Sequence, residues 1–247
     1  MSRPADLTYI ELAEVASTNT YVKQHAANLP DLAVVYAVSQ TAGRGQRGNS
    51  WESEPGKNLT FSFLLKRPRV DVTAQFALSE AVSLAMLDVL DTLTPDIRVK
   101  WPNDIYHCDN KLAGILIEHS LQGRDIDYMV AGIGLNVNQR RFVSDAPNPV
   151  SLVNITGREH DLLPLLRSLG DALASRCREA ETDRTALHDT YLRRLYRRDG
   201  RQHGFSRPDG TPVSAAIVDV KPEGNLVLLH SDGSRHSYAF KEIIYNL

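Results

Sequence analysis

Three glycines and two arginines, set directly behind an apolar run, constrain this chain more than any other stretch. Ala33 to Val38 reads as a buried strand, and Gln40-Thr41-Ala42-Gly43-Arg44-Gly45-Gln46-Arg47-Gly48-Asn49-Ser50-Trp51 comes just after it. Glycine lets a backbone approach a ligand closely or take positive φ, and unpaired amides beside two guanidiniums make an anion site. This pattern points to an anionic ligand. Gly43 to Ser50 also fits the spacing of a nucleotide P-loop. However, Asn49 stands where the phosphate-reaching lysine belongs, and Trp51-Glu52-Ser53-Glu54-Pro55-Gly56 cannot open a helix. A flexible surface loop is the bland alternative.

Around this loop the chain alternates strand and helix signals. Leu7 to Leu12 is a short apolar stretch, and Ser17 or Thr18 can cap a helix that carries Tyr21, Val22, His25 and Ala26 and stops before Pro30. Asn58 to Lys66 alternates as a half-buried strand, and Thr73 to Leu93 predicts a helix with a wide buried face. Arg98 to Tyr106 sets Lys100, Trp101, Asn103 and Asp104 around Pro102, a strand-turn-strand pattern. Asp109-Asn110 turns the chain again, and Lys111 to Glu118 returns as a strand. Lys111 at its mouth is either a solvated end or a cation placed to hold charge developing on a phosphoryl or acyl group. Tyr128 to Val137 is a buried strand, and its Gly132 and Gly134 mark the close approach of a helix or of a ligand.

Two amphipathic helices are predicted over Leu162 to Glu181 and Thr185 to Tyr196, with Arg193, Arg194, Arg197 and Arg198 as a solvated face or, in the alternative, a partner surface. From Gly204 the texture changes to short alternating strands: Thr211 to Val220, Leu226 to Ser231 and Arg235 to Phe240. Hairpin signals at Pro222 to Asn225 and Asp232-Gly233 join them. This predicts a small β-barrel appended to an α/β body, with the boundary between Arg197 and Gly204.

Composition excludes several partners. A net charge of −2 over 247 residues gives no electrostatic case for nucleic acid or an anionic membrane. Cys108 and Cys177 are too few for a disulfide framework or a zinc site, so no resident metal is expected. Met1 to Asp6 has no apolar signal region, and no window approaches about eighteen apolar residues. The expectation is a cytoplasmic protein.

Taken in order, these motifs resemble the biotin–protein ligases, the bacterial enzymes that biotinylate a carboxylase carrier domain. The likeness rests on Ser17-Thr18-Asn19, Gln40 to Gly45, Trp51, Lys100-Trp101-Pro102-Asn103-Asp104, Lys111 to Glu118 and Gly132 to Asn138; each is weak alone and the ordered set is specific. The resemblance implies an α+β chain: a mixed-sheet catalytic domain over residues 1–198 and an SH3-like barrel over 199–247. It implies ATP and Mg²⁺ as cofactors, biotin as substrate, biotinyl-AMP as intermediate and a lysine of a biotin carboxyl carrier domain as acceptor. Carried over by position, biotin contacts fall on Ser17, Thr18, Asn19, Gln40, Gly43, Arg44, Gly45, Gln46, Lys111 and Gly114. Adenylate contacts fall on Arg47, Trp51, Asn103 and Asn136, with Trp51 stacking on adenine. Lys111 and Arg44 would be catalytic, and Asp104 is either a turn carboxylate or an orienting group for Lys111. Where the family commonly has arginine after the second glycine of the loop, this chain has Gln46, with Arg47 beside it.

The sixteen residues ahead of Ser17 leave no room for the helix-turn-helix domain of some relatives, which argues against a DNA role. A homodimer through an exposed sheet edge stays open. A lipoate or octanoate ligase shares this chemistry, and a catalytically silent biotin binder would keep the pocket. Trp51 and the barrel favour biotin, and the presence of Lys111 and Arg44 argues against silence.

Overall fold

In the computed structural model, which describes residues 7–46, 49–143 and 148–246, the apolar runs assemble into one seven-stranded mixed sheet. Its strands are β1 (Thr8–Val15), β2 (Ala33–Gln40), β3 (Leu59–Lys66), β4 (Ile97–Lys100), β5 (Asp104–His107), β6 (Asn110–Gln122) and β7 (Asp125–Leu135). They lie in the order β1-β2-β3-β7-β6-β5-β4. β1 runs parallel to β2 and every other pair is antiparallel. Helix α1 (Thr18–His25) makes the crossover from β1 to β2.

β3 departs from the half-buried expectation: every residue except Lys66 is buried. Phe61, Phe63 and Leu65 enter the main core with α2 (Phe76–Leu90), while Leu64 packs with Val22 of α1. The polar positions that imitate a solvent face are covered: the Thr60 hydroxyl donates to Ala37 O of β2 at 3.2 Å, and Ser62 meets α1. Ser62 Oγ lies 2.5 Å from Asn19 Oδ1 and 2.8 Å from Thr18 Oγ1. Buried polar groups need such partners, so alternation in β3 records a polar network and not water.

α2 is shorter than predicted. The Asp71 carboxylate accepts from the Thr73 amide and hydroxyl, which winds Val72–Ala74 into a 3-10 turn ahead of the helix. A short α3 (Leu152–Thr156), capped by Ser151, precedes α4 (Leu162–Thr182) and α5 (Arg184–Arg193). Of the four arginines expected on a solvated face, Arg193 is exposed, but the three after α5 are engaged with the protein. Arg194 makes a two-pronged pair with Asp91 at 2.8 Å and donates to the Ile97 carbonyl. Arg198 donates to the carbonyls of Leu192 and Val218, and Arg197 to that of Asn246. Arg197 and Arg198 thus tie the helices to the second sheet, while Arg194 ties them to α2 and β4.

That second sheet has five antiparallel strands: β8 (His203–Ser206), β9 (Pro212–Val220), β10 (Leu226–His230), β11 (Arg235–Tyr238) and β12 (Ile244–Tyr245). Its order, β11-β10-β9-β8-β12, is consistent with the SH3-like barrel expected at the C-terminal end. Its apolar side chains, among them Phe205, Ile217 and Leu228, continue the core that holds Leu78 and Leu84 of α2.

Candidate active site

One face of the large sheet is stripped of side chains at its centre. Gly114 of β6 pairs with Gly134 of β7, and Gly132 pairs with Leu116 of β6 and with Ser62 of β3. A methyl group added at Gly132 would overlap Asn19 Oδ1, and one at Gly134 would overlap the Trp51 ring. The two glycines thus make room for side chains from α1 and from the arginine-bearing loop, which line the same cavity of about 910 Å³.

The α1 wall consists of Ser17, Thr18 and Asn19, all buried. Ser17 takes the cap position without a side-chain cap bond. Gln40 Oε1 accepts from the Thr18 amide at 2.8 Å and from its hydroxyl at 3.1 Å, so the neighbouring strand end caps α1 and the Ser17 hydroxyl stays at the cavity wall.

The described residues of the loop are held by backbone hydrogen bonds on both sides of its tip. Trp51 N donates to Gly43 O at 3.0 Å, Gly45 N to Asn49 O at 2.7 Å, and Ala42 N to Ala16 O at 2.9 Å. Gly43 itself sits behind the cavity, where a methyl would meet the Trp51 carbonyl at 2.7 Å. Arg44, Gly45, Gln46 and Trp51 line the cavity; Arg47, expected against the adenylate, lies outside the described residues. The Arg44 guanidinium stands 3.6 Å from Glu118.

Lys111 opens β6 at the cavity wall. The adjoining segment fixes its backbone, with Lys111 N donating to Asn148 O and Val150 N to Lys111 O. Its ammonium pairs with Asp104 at 2.8 Å and stands 5.7 Å from the centre of the Trp51 ring. Asn103 clamps the preceding turn to β6: its side chain donates to Ile115 O, and its carbonyl accepts from Ile115 N. Asn136 donates to Val150 O at 3.0 Å, which leaves its own Oδ1 buried and unpartnered. Trp51 Nε1 and Gln46 Oε1 are also buried without partners. Such orphans cost about 1–3 kcal/mol each, and these three belong to residues that line the cavity.

Sequence reasoning missed two parts of the wall. Lys100 lies in a recognised motif without an assigned role; it donates to Tyr106 OH at 3.2 Å and sits 5.1 Å from the centre of the Tyr245 ring. Burial, with the charges of Lys111 and Arg197, pushes its ammonium below the ordinary lysine pKa against the pull of Asp104. Phe240, Lys241 and Ile243 to Tyr245 bring the second sheet to the same cavity. Only tertiary packing carries that information, because β12 is two residues long.

Fold and cavity point to a single class of protein. The model described as "Biotin/lipoate A/B protein ligase family" matches residues 12–136, and the chain belongs to that family. Within it the likeness is to biotin ligases. The biotin–[acetyl-CoA-carboxylase] ligase of Paracoccus denitrificans is 31% identical over 232 residues, covering 88% of this chain and 96% of that protein. The bifunctional ligase/repressor BirA of Salmonella typhimurium is 39% identical over 138 residues, 56% of this chain and only 43% of that relative's length. In fold, the chain matches the biotin protein ligase from Aquifex aeolicus in complex with biotin and ATP. The TM-score is 0.80 over 97% of this chain and 99% of that one, at 24% identity.

Proposed function

We propose that this chain activates biotin with ATP to biotinyl-AMP and transfers the acyl group to a lysine of a biotin carboxyl carrier domain of a carboxylase. The observation that carries this reading is Lys111, whose ammonium meets the Asp104 carboxylate and the Trp51 ring over a glycine floor in one cavity. A carboxylate does not acylate an amine at neutral pH, so it must first become a mixed anhydride. Its oxygen attacks the α-phosphate and pyrophosphate leaves. Lys111, Arg44 and the loop amides stabilise the charge that develops there. Ser17, Thr18, Asn19 and Gln40 hold biotin, and Trp51, Asn103 and Asn136 face the nucleotide. The carrier amine then attacks the acyl carbon and AMP leaves, with Asp104 placed to orient Lys111 or the amine. Much of the catalytic gain comes from positioning and from keeping water off the anhydride.

Among the described residues no group of three or more His, Cys, Asp or Glu gathers to hold a metal. Mg²⁺ would therefore enter on the triphosphate, shielding its charge. The carrier has a place to dock: β5 pairs with β6 only from Asn110 to Gly114, and beyond Asn103 the outer edge of β6 has no strand partner among the described residues. A second copy of this chain could use the same edge. Residues 1–198 would form the catalytic domain and 199–247 the barrel that completes the cavity wall. No helix among the described residues is long and apolar enough to cross a membrane, in keeping with work in the cytoplasm.

Biotin-dependent exchange of labelled pyrophosphate into ATP, with lipoate and octanoate in parallel, tests the reading. Exchange with biotin alone is expected. Exchange driven by lipoate would reassign the acid, and a folded chain that exchanges with none would leave a binding protein.

A further inference from the structure

Gly114 and Leu116 of β6 line the cavity, and two residues further along the same row, just outside the lining, stands Glu118, a carboxylate that the reaction above does not use. Asn19 Nδ2 donates to Glu118 Oε2 at 3.1 Å and Lys23 Nζ to Oε1 at 2.8 Å, both from α1, while the Arg44 guanidinium stands 3.6 Å from Oε1. Burial alone would raise the carboxyl pKa. The hydrogen bonds from Lys23 and Asn19 and the charges of Lys23 and Arg44 outweigh it, so Glu118 is held below its ordinary value and is an anion at neutral pH.

The Arg44 contact differs in kind from the other two. At 3.6 Å it is too long for a hydrogen bond, and Arg44 is 48% exposed, which makes the pair weak and exchangeable. It nevertheless sets where the guanidinium rests. The Lys111 ammonium lies over Gly114, and Glu118 is four residues further along β6, about 13 Å by strand rise, so the pair draws Arg44 away from Lys111. A single anion held by both cations must take Arg44 away from Glu118.

We propose that Glu118 is a positioning residue for Arg44: its carboxylate stands in for the ligand's anion and releases the guanidinium when the acyl-adenylate arrives. This rests on the adenylate-forming reading above. Glu118 touches no reacting atom; it competes with the ligand for one guanidinium. Removing its charge must then tighten the complex, whereas a Glu118 that only braced Asn19 and α1 would have the opposite effect when removed.

The test is calorimetric affinity for a non-hydrolysable acyl-sulfamate analogue of biotinyl-AMP, an anion, measured on the full chain and on Glu118→Gln, Arg44→Ala and the double variant. Glu118→Gln keeps an acceptor for Asn19 and Lys23. It is expected to bind about threefold tighter than the parent at low salt, with the gain shrinking as salt screens the pair and absent in the Arg44→Ala background. Glu118→Asp, which keeps the charge but draws it back, gives a smaller gain of the same sign and serves if the amide variant fails to fold. Unchanged or weaker binding by Glu118→Gln overturns the proposal, as does a gain that persists without Arg44. A parent chain that binds no analogue at all overturns the adenylate reading and this inference with it, a result distinct from the other two.

Discussion

Two charge clusters of this molecule look alike in distance and differ in setting. In the cavity, Lys111 and Asp104 pair at 2.8 Å with side chains 24% and 21% exposed. At the seam, His188 of α5 lies 2.7 Å from Glu80 of α2 and 3.1 Å from Asp219 of β9, and the Glu80 side chain is only 5% exposed. The cavity pair has an open side, and Asp104 also draws on the nearby Lys100 ammonium, so a substrate oxygen can take Lys111 without leaving a carboxylate alone in a dry interior. The seam has one cation clamped between two carboxylates, one of them buried, and a buried carboxylate left alone is costly. Partly solvated charge is exchangeable and can do chemistry. Enclosed charge is committed to holding the second sheet, which walls the cavity through Phe240 to Tyr245, against the helices of the first.

The sharpest way to break this contrast is to remove the cation from each cluster. Lys111→Ala is expected to lower biotin-dependent pyrophosphate exchange by about 10²–10³-fold, because it removes charge aimed at the reacting anion. The midpoint of thermal unfolding should barely move, since a partly solvated pair contributes little to stability. An unfolding midpoint that dropped with the rate would refute the division of labour.

His188→Ala should invert that pattern. It strands Glu80, and the expected loss is about 1–2 kcal/mol, below the figure for a fully enclosed pair because the His188 side chain is 31% exposed. In a chain of this size that lowers the midpoint by about 2–4 °C per kcal/mol, while exchange at low temperature stays within about twofold. Replacing both Glu80 and His188 by leucine should restore much of the loss, since no charge is then stranded. Failure of that rescue would show that packing around Tyr191 matters more than charge.

The seam also predicts a pH signature. The hydrogen bond to Glu80 and the charges of Glu80 and Asp219 outweigh burial and raise the His188 pKa from 6.5 to about 9. A group whose pKa is raised on folding stabilises fully below its unfolded value and loses that contribution as pH rises through its folded value. Stability should therefore fall between about pH 6.5 and 9, and the fall should be missing in His188→Ala. Denaturant melts of both proteins across that range check it; parallel profiles would place the titration elsewhere.

The two clusters were unequally legible in the sequence. Lys111, Asp104 and the glycine floor sit in short motifs whose residue types announce their chemistry, and the strands β2, β6 and β7 emerge from apolar runs. The seam announces nothing, because Glu80, His188 and Asp219 lie on three elements and meet only after packing. The same blindness turned Arg194 into a solvated residue, although its partner Asp91 is 103 positions away. It also read Thr60 and Ser62 as water-facing. A pattern of apolar and polar positions says which face of an element is polar. What covers that face, water or another part of the chain, is decided by contacts between distant segments, and so the wall formed by Phe240 to Tyr245 was out of reach as well.

The smallest expected effect sharpens the comparison most, because it removes the anion and not the cation from the cavity pair. Asp104→Asn keeps the size and most of the hydrogen bonding of the side chain, and Lys111 then stands without its counter-charge. In a dry site that would be as damaging as stranding Glu80. Here both partners are partly solvated, so the expected change in stability is under about 1 kcal/mol. Pyrophosphate exchange should change by only a fewfold, since Lys111 still meets the incoming anion. Transfer from preformed adenylate to a carrier lysine should slow more than exchange if Asp104 orients the amine, and equally if it only orients Lys111. Measuring the two half-reactions separately on this one variant decides between those roles. A loss of stability near that of His188→Ala would show that the cavity pair is enclosed in solution and that the contrast between the clusters is one of degree.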